Sequence, residues 1–396
     1  MKSNIIGIVF KKELLDIFRD RKTLIIGILI PLILLPVMFG VIGSGMNKST
    51  KDVQDNIKVA IVDKGNSTIK TFMKSQKNIR VINSTNIGED IKKGSIMIAM
   101  EIPKEFDSAI NNEKPVNIKL TYDNASAQSN LAATMIDSYI QSYSKGVVAE
   151  RLKSKGIKAE ILTPINVDKV TLVKESESEG QFMLSLMLPL FLMIYSVTGP
   201  MAPATDLGAG EKERGTLEPL LTTKAGRLSL LWGKFLAITV MGCLTIIASI
   251  VGLLISMKQM EGMFGSSAGI TISLTPKVIV LIGIMSILVT MAFGALELAI
   301  SISARSFKEA QTYLTPLTVI AFIPVYATYM LDGKNIDGYY FNIPLANVVC
   351  LMKEFLSGIF NVQHMIITFS WILVYIVASV LLARYMFSRE EVVFRT

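Results

Sequence analysis

The sequence has few of the residues that build metal centres and covalent cross-links. Its 396 residues include two cysteines, Cys243 and Cys350, and one histidine, His364. Both cysteines lie in apolar segments, so neither a disulfide framework nor a cysteine metal site is expected. A single histidine excludes every site that needs two histidine ligands, such as the H-E-x-x-H site of metalloproteases. We therefore predict neither a metal site nor catalytic residues.

A nucleotide-binding loop is also missing. The stretch from 226 to 234 ends in Gly-Lys, but a G-x-x-x-x-G-K-[ST] loop would need glycine at position 228, where Leu228 stands. Phe235 occupies the place of the Ser or Thr that binds magnesium. The chain itself is thus expected to bind no cofactor, and any ATP-driven work must come from another chain.

Long apolar runs dominate what is present. Hydrophobic residues make up 51% of the chain and the mean hydropathy is +0.49, which is unusual for a soluble globular protein. The net charge of +8 comes from basic residues that flank the apolar runs, so it does not indicate a nucleic-acid partner. The sequence predicts an α-helical polytopic membrane protein with six transmembrane helices, the first at 23–45 and the others at about 181–201, 230–256, 276–302, 311–331 and 364–387.

Residues 46–180 lose this apolar character. Alternating patterns predict strands at 57–63, 96–102 and 116–122, with helices at 66–77, 103–111 and 126–154. A segment of about 135 residues is long enough to bury its own core. We predict an α/β domain inserted between the first two transmembrane helices.

The lysines and arginines predict the orientation. With the N-terminus inside, sixteen lie in cytoplasmic segments and four, Lys258, Lys277, Lys334 and Lys353, in short outer loops. This positive-inside bias predicts cytoplasmic termini, a multi-pass plasma-membrane location and an extracytoplasmic α/β domain. The sixteen are Lys2, Lys11, Lys12, Arg19, Arg21, Lys22, Lys212, Arg214, Lys224, Arg227, Lys234, Arg305, Lys308, Arg384, Arg389 and Arg395.

Two shorter segments have their own patterns. Residues 1–22 predict an amphipathic helix lying on membrane lipid, with an apolar side of Ile6, Phe10, Leu14, Ile17 and Phe18. An ordinary basic flank of a signal anchor is an alternative that is compatible with it. In the five-helix portion 181–396, residues 343–360 are apolar but too short to span and contain Pro344 and Gly358. A re-entrant helical hairpin is expected there.

The loop predicted at 202–229 carries a short charged island at 210–221. The island cannot lie in hydrocarbon and is too short to be a domain, but it is well placed to receive force from a soluble partner. The alternative is a solvated inner loop with no partner.

Several stretches resemble the type-2 ABC exporter permeases and, among them, the sodium-efflux permeases of the NatB type. These are KELLDIFRDRKTL at 12–24, MAPA at 201–204, EKERGTLEPLL at 211–221, LWGK at 231–234, ARSFKEAQ at 304–311 and REEVVFR at 389–395. The resemblance implies export of Na⁺, driven by a separate ATPase subunit that binds ATP and Mg²⁺, with two copies of the permease forming the pore. Related permeases move drugs, peptides or lipids, which is the alternative within transport.

The resemblance also implies roles for particular residues. The island corresponds to a coupling helix, in which Glu211, Glu213 and Arg214 pair with charges on the ATPase, Gly215 ends the helix and Thr216 caps the next segment. The N-terminal interfacial helix would brace the ATPase, with Glu13, Asp16 and Arg19 facing the cytosol.

Glu297 is the only acid well inside a predicted span, and a buried carboxylate is costly unless it is paired or protonated. We predict a candidate ion path that includes Glu297 and Thr315. A structural ion pair with Arg305, two turns away, is the alternative.

Two classes outside transport are disfavoured. A membrane sensor with an outer ligand domain would need a signalling domain inside, where only short loops are predicted. An intramembrane hydrolase would need paired catalytic groups at bilayer depth.

Overall fold

The computed structural model describes residues 2–158, 175–222, 225–263 and 275–389. The chain divides into two compact units. One contains Met1–Val41 with Leu172–Thr396, and the other contains Ile42–Thr171.

The six predicted transmembrane helices are matched by six described helices that are long and apolar enough to cross a membrane. The first comprises α2 (Arg21–Leu24), a π-helical turn (Ile25–Leu29) and the start of α3 (Ile30–Asp55). The second is α8 (Glu175–Thr205), which continues through a π-helical turn (Asp206–Gly210) into α9 (Glu211–Glu213). The remaining four are α11 (Arg227–Met263), α12 (Pro276–Ser303), α13 (Phe307–Ala327) and α15 (Val362–Ser388).

Helix α12 lies at the centre of the helical unit, in contact with α8, α11, α13 and α15. Small residues let these helices approach closely, as is usual where helices pack in membranes. A Cβ added at Gly199 of α8 would lie 2.9 Å from the side chain of Thr245 on α11, and one at Gly294 of α12 would touch Ile238 and Pro200.

The N-terminal helix α1 (Lys2–Arg19) packs along α11, where Gly233 meets Val9. Its buried side consists of Val9, Glu13 and Ile17, whereas Phe18 is 44% exposed. The buried face therefore differs from the predicted apolar side of the helix. Its central residue is Glu13, a charged residue that the prediction had placed elsewhere.

The second unit contains a four-stranded sheet in the order β2-β1-β3-β4, from β1 (Ile57–Asp63), β2 (Ile79–Val81), β3 (Ile98–Ile102) and β4 (Lys119–Tyr122). β1 is parallel to β2 and β3, and β4 is antiparallel to β3. The helices are α4 (Thr68–Ser75), α5 (Ile87–Lys92), α6 (Phe106–Asn111) and α7 (Ala127–Ser154), the last capped by Ser126. The three predicted strands and the long helix are present, whereas β2 and α5 were not predicted.

The predicted hairpin at 343–360 is wrong. The segment holds one helix, α14 (Ala346–Leu356), after a 3₁₀ turn at Gly338–Asn342, and every residue of α14 is buried. Burial of Lys353 in this apolar site is compensated, because its ammonium donates to the carbonyls of Thr328, Tyr329 and Leu331, just beyond the end of α13.

The charged island at 210–221 ends in a further short helix, α10 (Leu217–Thr222).

Candidate functional site

Four side chains form a charge cluster at the start of the island: Glu13, Glu211 and Lys234 are buried, and Lys12 is 48% exposed at its edge. The Lys234 side chain is fully enclosed; its Nζ donates to the Glu211 carboxylate and, at 2.9 Å, to the carbonyl of Leu207. Glu13 lies 3.6 Å from the same ammonium. Lys12 Nζ lies 3.2 Å from both Glu13 and Glu211. Two carboxylates and two ammoniums thus alternate, and they join α1, α9 and α11.

Burial and charge act against each other in this cluster. Burial raises the pKa of the Glu13 carboxyl, although Lys234 lies beside it. Burial also lowers the pKa of Lys12, but the carboxylates of Glu211 and Glu13 outweigh it, so the pKa of Lys12 is raised overall. The pairing supplies the compensation without which buried charges are expensive.

The next two residues of the island bind the ends of two more helices. Lys212 Nζ donates to the carbonyls of Ile302 and Ala304, at 3.3 and 3.2 Å, where α12 ends. The Glu213 carboxylate accepts a hydrogen bond of 2.7 Å from the amide of Phe307, where α13 begins. A cation at a helix C-terminus and an anion at a helix N-terminus are both favoured by the helix dipole.

Arg214, Gly215 and Thr216 form the outward part of the island. Arg214 donates to Asp206 at 2.7 Å, and this hydrogen bond is the first cause of its raised pKa. Gly215 has a φ of +69°, a left-handed conformation that ends α9 and favours glycine. Thr216 directly precedes α10, and its hydroxyl donates back to the carbonyl of Glu211 at 3.1 Å.

An open cavity of about 690 Å³ is lined by residues of both α1 and the island, beside the charge cluster that joins them. Its lining includes Asp16, Asp206, Arg214 and Thr216. The cavity therefore presents charges of both signs to whatever enters it.

The structure corrects two predicted orientations. Glu13 was expected to face the cytosol but is 0% exposed, and Glu211 was expected to pair with a partner but is only 4% exposed. Asp16 and Arg19 are exposed as predicted. The sequence interpretation missed Lys234, although a lysine inside a predicted span was a visible sign that a buried partner had to exist.

Glu297 is different. It is 0% exposed, and neither carboxylate oxygen has a hydrogen-bond partner among the described residues. The predicted ion pair with Arg305 is therefore wrong. One turn before Glu297, Gly294 packs on Pro200; one turn after it, the Ser301 hydroxyl donates to the carbonyl of Thr205 at 3.3 Å.

Thr315 lies in a different environment from Glu297. Its side chain is exposed on α13, and its hydroxyl donates to the carbonyl of Gln311 at 2.8 Å. Gln311 and Thr312 are exposed on the same helix. This part of α13 presents a polar surface that the chain leaves uncovered.

Comparison with known proteins agrees with this architecture. The sequence model of a protein family, the ABC-2 family transporter protein, matches residues 21–385 of this chain. The chain belongs to the ABC-2 transporter family. The ABC transporter permease protein NatB of Bacillus subtilis (strain 168) is 29% identical over 400 residues, which cover 97% of this chain and 98% of that protein. The predicted family resemblance is confirmed. ABC-2 permease subunits are generally not catalytic and work with an ABC ATPase subunit.

Proposed function

We propose that this chain is the transmembrane permease of an ATP-driven exporter and that its ATPase subunit acts on the island at 210–221. One observation carries the proposal: successive residues of the island are bound to different helices of the membrane unit. Glu211 binds Lys234 of α11 and Lys12 of α1, Lys212 binds the end of α12, and Glu213 binds the start of α13.

These contacts explain how a local push becomes a movement of several helices. The island cannot shift without moving or breaking its bonds to α1, α11, α12 and α13. Breaking the buried pairs would leave uncompensated charges, which is costly, so movement of the helix ends together is favoured. An ATPase that binds the island differently in its ATP-bound and empty forms would thereby shift the permease between two states.

We assign the contact with the ATPase to the exposed groups: Asp16, Arg19, Glu213, Arg214 and Thr216. Glu13 and Glu211 are enclosed and serve instead to hold the island in place. Exposed charges of both signs suit recognition of a complementary surface, and they control specificity and the rate of association more than affinity.

The proposed orientation follows the positive-inside bias. The island and both termini are cytoplasmic, the α/β unit is extracytoplasmic, and the chain lies in the plasma membrane. This places the exposed charges of α1 and of the island where a soluble ATPase can reach them.

A second copy of this chain covers the polar surface of α13 in our proposal. Gln311, Thr312 and Thr315 are exposed there, on a helix that is apolar enough to span the membrane. Polar side chains within a membrane normally face other helices or a water-filled path rather than lipid. Two copies meeting at α13 would enclose these groups and form the path.

We propose Na⁺ as the exported substrate. The resemblance to sodium-efflux permeases of the NatB type motivates this choice, and Glu297 supplies a group with the required chemistry. A fully buried carboxylate without a hydrogen-bond partner is compensated by a bound cation or by a proton.

The first experiment tests the ATPase partnership. The tagged chain, purified in mild detergent, should bring down a soluble ATPase in stoichiometric amount, and scrambling residues 211–216 should release it. The matched control exchanges Glu89 of α5 and Lys93, the residue that follows this helix, which form an exposed pair 3.2 Å apart. Recovery of the bare chain alone, or of ATPase unaffected by scrambling, would contradict the proposal and favour the sensor class.

The second experiment tests coupling and substrate in proteoliposomes that hold the complex. Gly215→Pro, or exchange of Glu213 and Arg214, should abolish ATP-dependent Na⁺ export while membrane insertion stays normal. The Glu89–Lys93 exchange should export normally. Export of a drug, peptide or lipid without any Na⁺ movement would support the permease function but contradict Na⁺ as the substrate.

A further inference from the structure

The α/β unit contains a cavity of about 270 Å³ between α6, the loop that precedes β4, and the C-terminal half of α7. This volume is close to the lower end of the range for small-molecule sites, roughly 300–1,000 Å³. Most of the lining is apolar and includes Phe106, Ile110, Val116 and Val147. The cavity lies wholly within one compact unit.

Its place in the sheet is one where α/β folds bind ligands. β1 leads into α4 and β3 leads into α6, and the connections from β1 and from β3 run to opposite sides of the sheet order. The point between β1 and β3 is therefore a topological switch point, and ligands bind beside such points at the carboxyl ends of the strands. Ile69 and Phe106, in the first turns of α4 and α6, both line the cavity.

Helix α7 has an apolar side here that the protein does not cover. Its N-terminal half buries Ala132, Ala133 and Ile136 against the sheet. From 137 to 154, all of which the structure describes, no residue is buried, although Val147 and Val148 are apolar and only partly exposed. The cavity takes up the space that a core would otherwise fill.

The two ends of the cavity differ in chemistry. At one end the Tyr143 hydroxyl meets Thr68 Oγ1 at 2.7 Å, and Thr68 in turn donates to Asp107 at 2.7 Å. That network satisfies its own polar groups. The other end carries Lys114 and Arg151. Tyr143 and Arg151 are eight helical positions apart, which corresponds to about 12 Å.

The basic end lies within electrostatic range of one exposed acid, Glu113, whose main partner is Lys155. Arg151 donates to the carbonyl of Ile110 at 2.6 Å, and neither it nor Lys114 forms an ion pair with a described residue. The nearby acid, Glu113, is held by Lys155 at 2.5 Å, and that hydrogen bond is the first cause of its lowered pKa. An anion placed at this end would therefore gain two cations.

We propose that this cavity binds a single-chain anionic amphiphile. The apolar chain lies along α7 between Tyr143 and Arg151, and the anionic head contacts Arg151 and Lys114. The guanidinium group suits a carboxylate or a phosphate, because its donors match the spacing of their oxygens. The inference is independent of the exported substrate and of the ATPase.

The test is hydrogen–deuterium exchange on the full chain in lipid nanodiscs, with octanoate as the probe below the concentration at which it forms micelles. Octanoate should slow amide exchange in 106–118 and 140–151 and leave the sheet strands unchanged. Octylammonium, which has the same chain and the opposite charge, should give no protection. Octyl phosphate, run in parallel, distinguishes the two head groups, and protection by either anion supports the proposal.

Variants separate the charge from the fold. Lys114→Gln and Arg151→Gln should each weaken octanoate binding about tenfold, the loss expected for one charge-assisted hydrogen bond. Lys153→Gln, an exposed lysine on the same helix, is the matched control and should bind normally. Equal protection by octylammonium, no protection by any probe, or unchanged affinity in both Lys114→Gln and Arg151→Gln would overturn the proposal.

Discussion

The molecule buries carboxylates in two different ways. Glu13 and Glu211, at the island, share the ammonium groups of Lys12 and Lys234, whereas Glu297, on α12, has no hydrogen-bond partner among the described residues. All three are at most 4% exposed.

The difference separates a mechanical role from a binding role. A paired buried charge is stable only as long as its partners stay in place, so it holds helices together. An unpartnered buried carboxylate adds nothing to packing and keeps its cost until a cation or proton arrives. We therefore expect opposite signs for the effect of neutralising the two kinds of group on stability.

The largest effect should come from Lys234→Met. This change leaves Glu13 and Glu211 buried with one ammonium between them, and we expect the free energy of unfolding to fall by roughly 3–5 kcal/mol. Thermal unfolding of the purified chain measures it. The double variant Lys234→Met with Glu211→Met removes one charge of each sign and should recover much of the loss. A double variant no more stable than the single one would contradict the pairing.

Glu297→Gln should act in the other direction. It removes a carboxylate that lacks a partner, so the free energy of unfolding should stay the same or rise by up to roughly 1–3 kcal/mol. Na⁺ export by the reconstituted complex should fall to the background of empty vesicles. Glu297→Asp keeps the charge and is the control for export. Normal Na⁺ efflux in Glu297→Gln would remove the binding role.

Gly215→Ala tests the left-handed backbone conformation at the end of α9, and it should lower stability less than Lys234→Met does. The position is exposed with open space around it, so only the left-handed backbone opposes a side chain, at about 1–2 kcal/mol. We expect a correspondingly lower unfolding temperature and weaker ATPase binding in pull-down assays. Gly88→Ala, also in open space but with a helical backbone in α5, should not lower the unfolding temperature, because alanine favours a helix over glycine.

Asp206→Asn should have the smallest effect. Its pair with Arg214 is about half exposed, and exposed ion pairs contribute roughly 0–1 kcal/mol. Unfolding should change little, and the change should disappear at high salt. If this variant lost as much stability as Lys234→Met, burial would not be what distinguishes the two pairs.

The helices and strands agreed best with the sequence prediction where the hydrophobic pattern extended over many residues. The helix at 126–154 and the strand at 57–63 were predicted almost to the residue, because periodicity accumulates over many positions. β2 has three residues and α5 has six, and neither was predicted, although α6, also six residues long, falls within the helix predicted at 103–111. The hairpin expected around α14 failed because Pro344 and Gly358 lie at the ends of one helix rather than at its turn.

The candidate site also contains residues that the sequence predicted and residues whose role only the structure shows. The family resemblance implied that Glu13 faces the cytosol, and its residue type agreed, since glutamate is seldom fully buried unless it is paired. The structure shows that Glu13 is buried beside Lys234, which balances its charge. Lys234 is 221 positions away in sequence, and its Nζ lies 3.6 Å from the Glu13 carboxylate. Glu297 was identified from the sequence as a buried acid, but its suggested partner Arg305 was wrong.

The sequence by itself predicted the six long apolar helices that the described residues contain and the α/β unit between the first two, because hydropathy and periodicity are local properties of the chain. Its short motifs predicted the family. Only the tertiary structure decided which charges are compensated. Ion pairs and hydrogen bonds form between helices that are distant in sequence, and their energy depends on distance and burial that no local pattern contains. That is why the buried acids Glu211 and Glu297 have opposite environments in the folded protein: Glu211 is paired with lysines and Glu297 has no hydrogen-bond partner among the described residues.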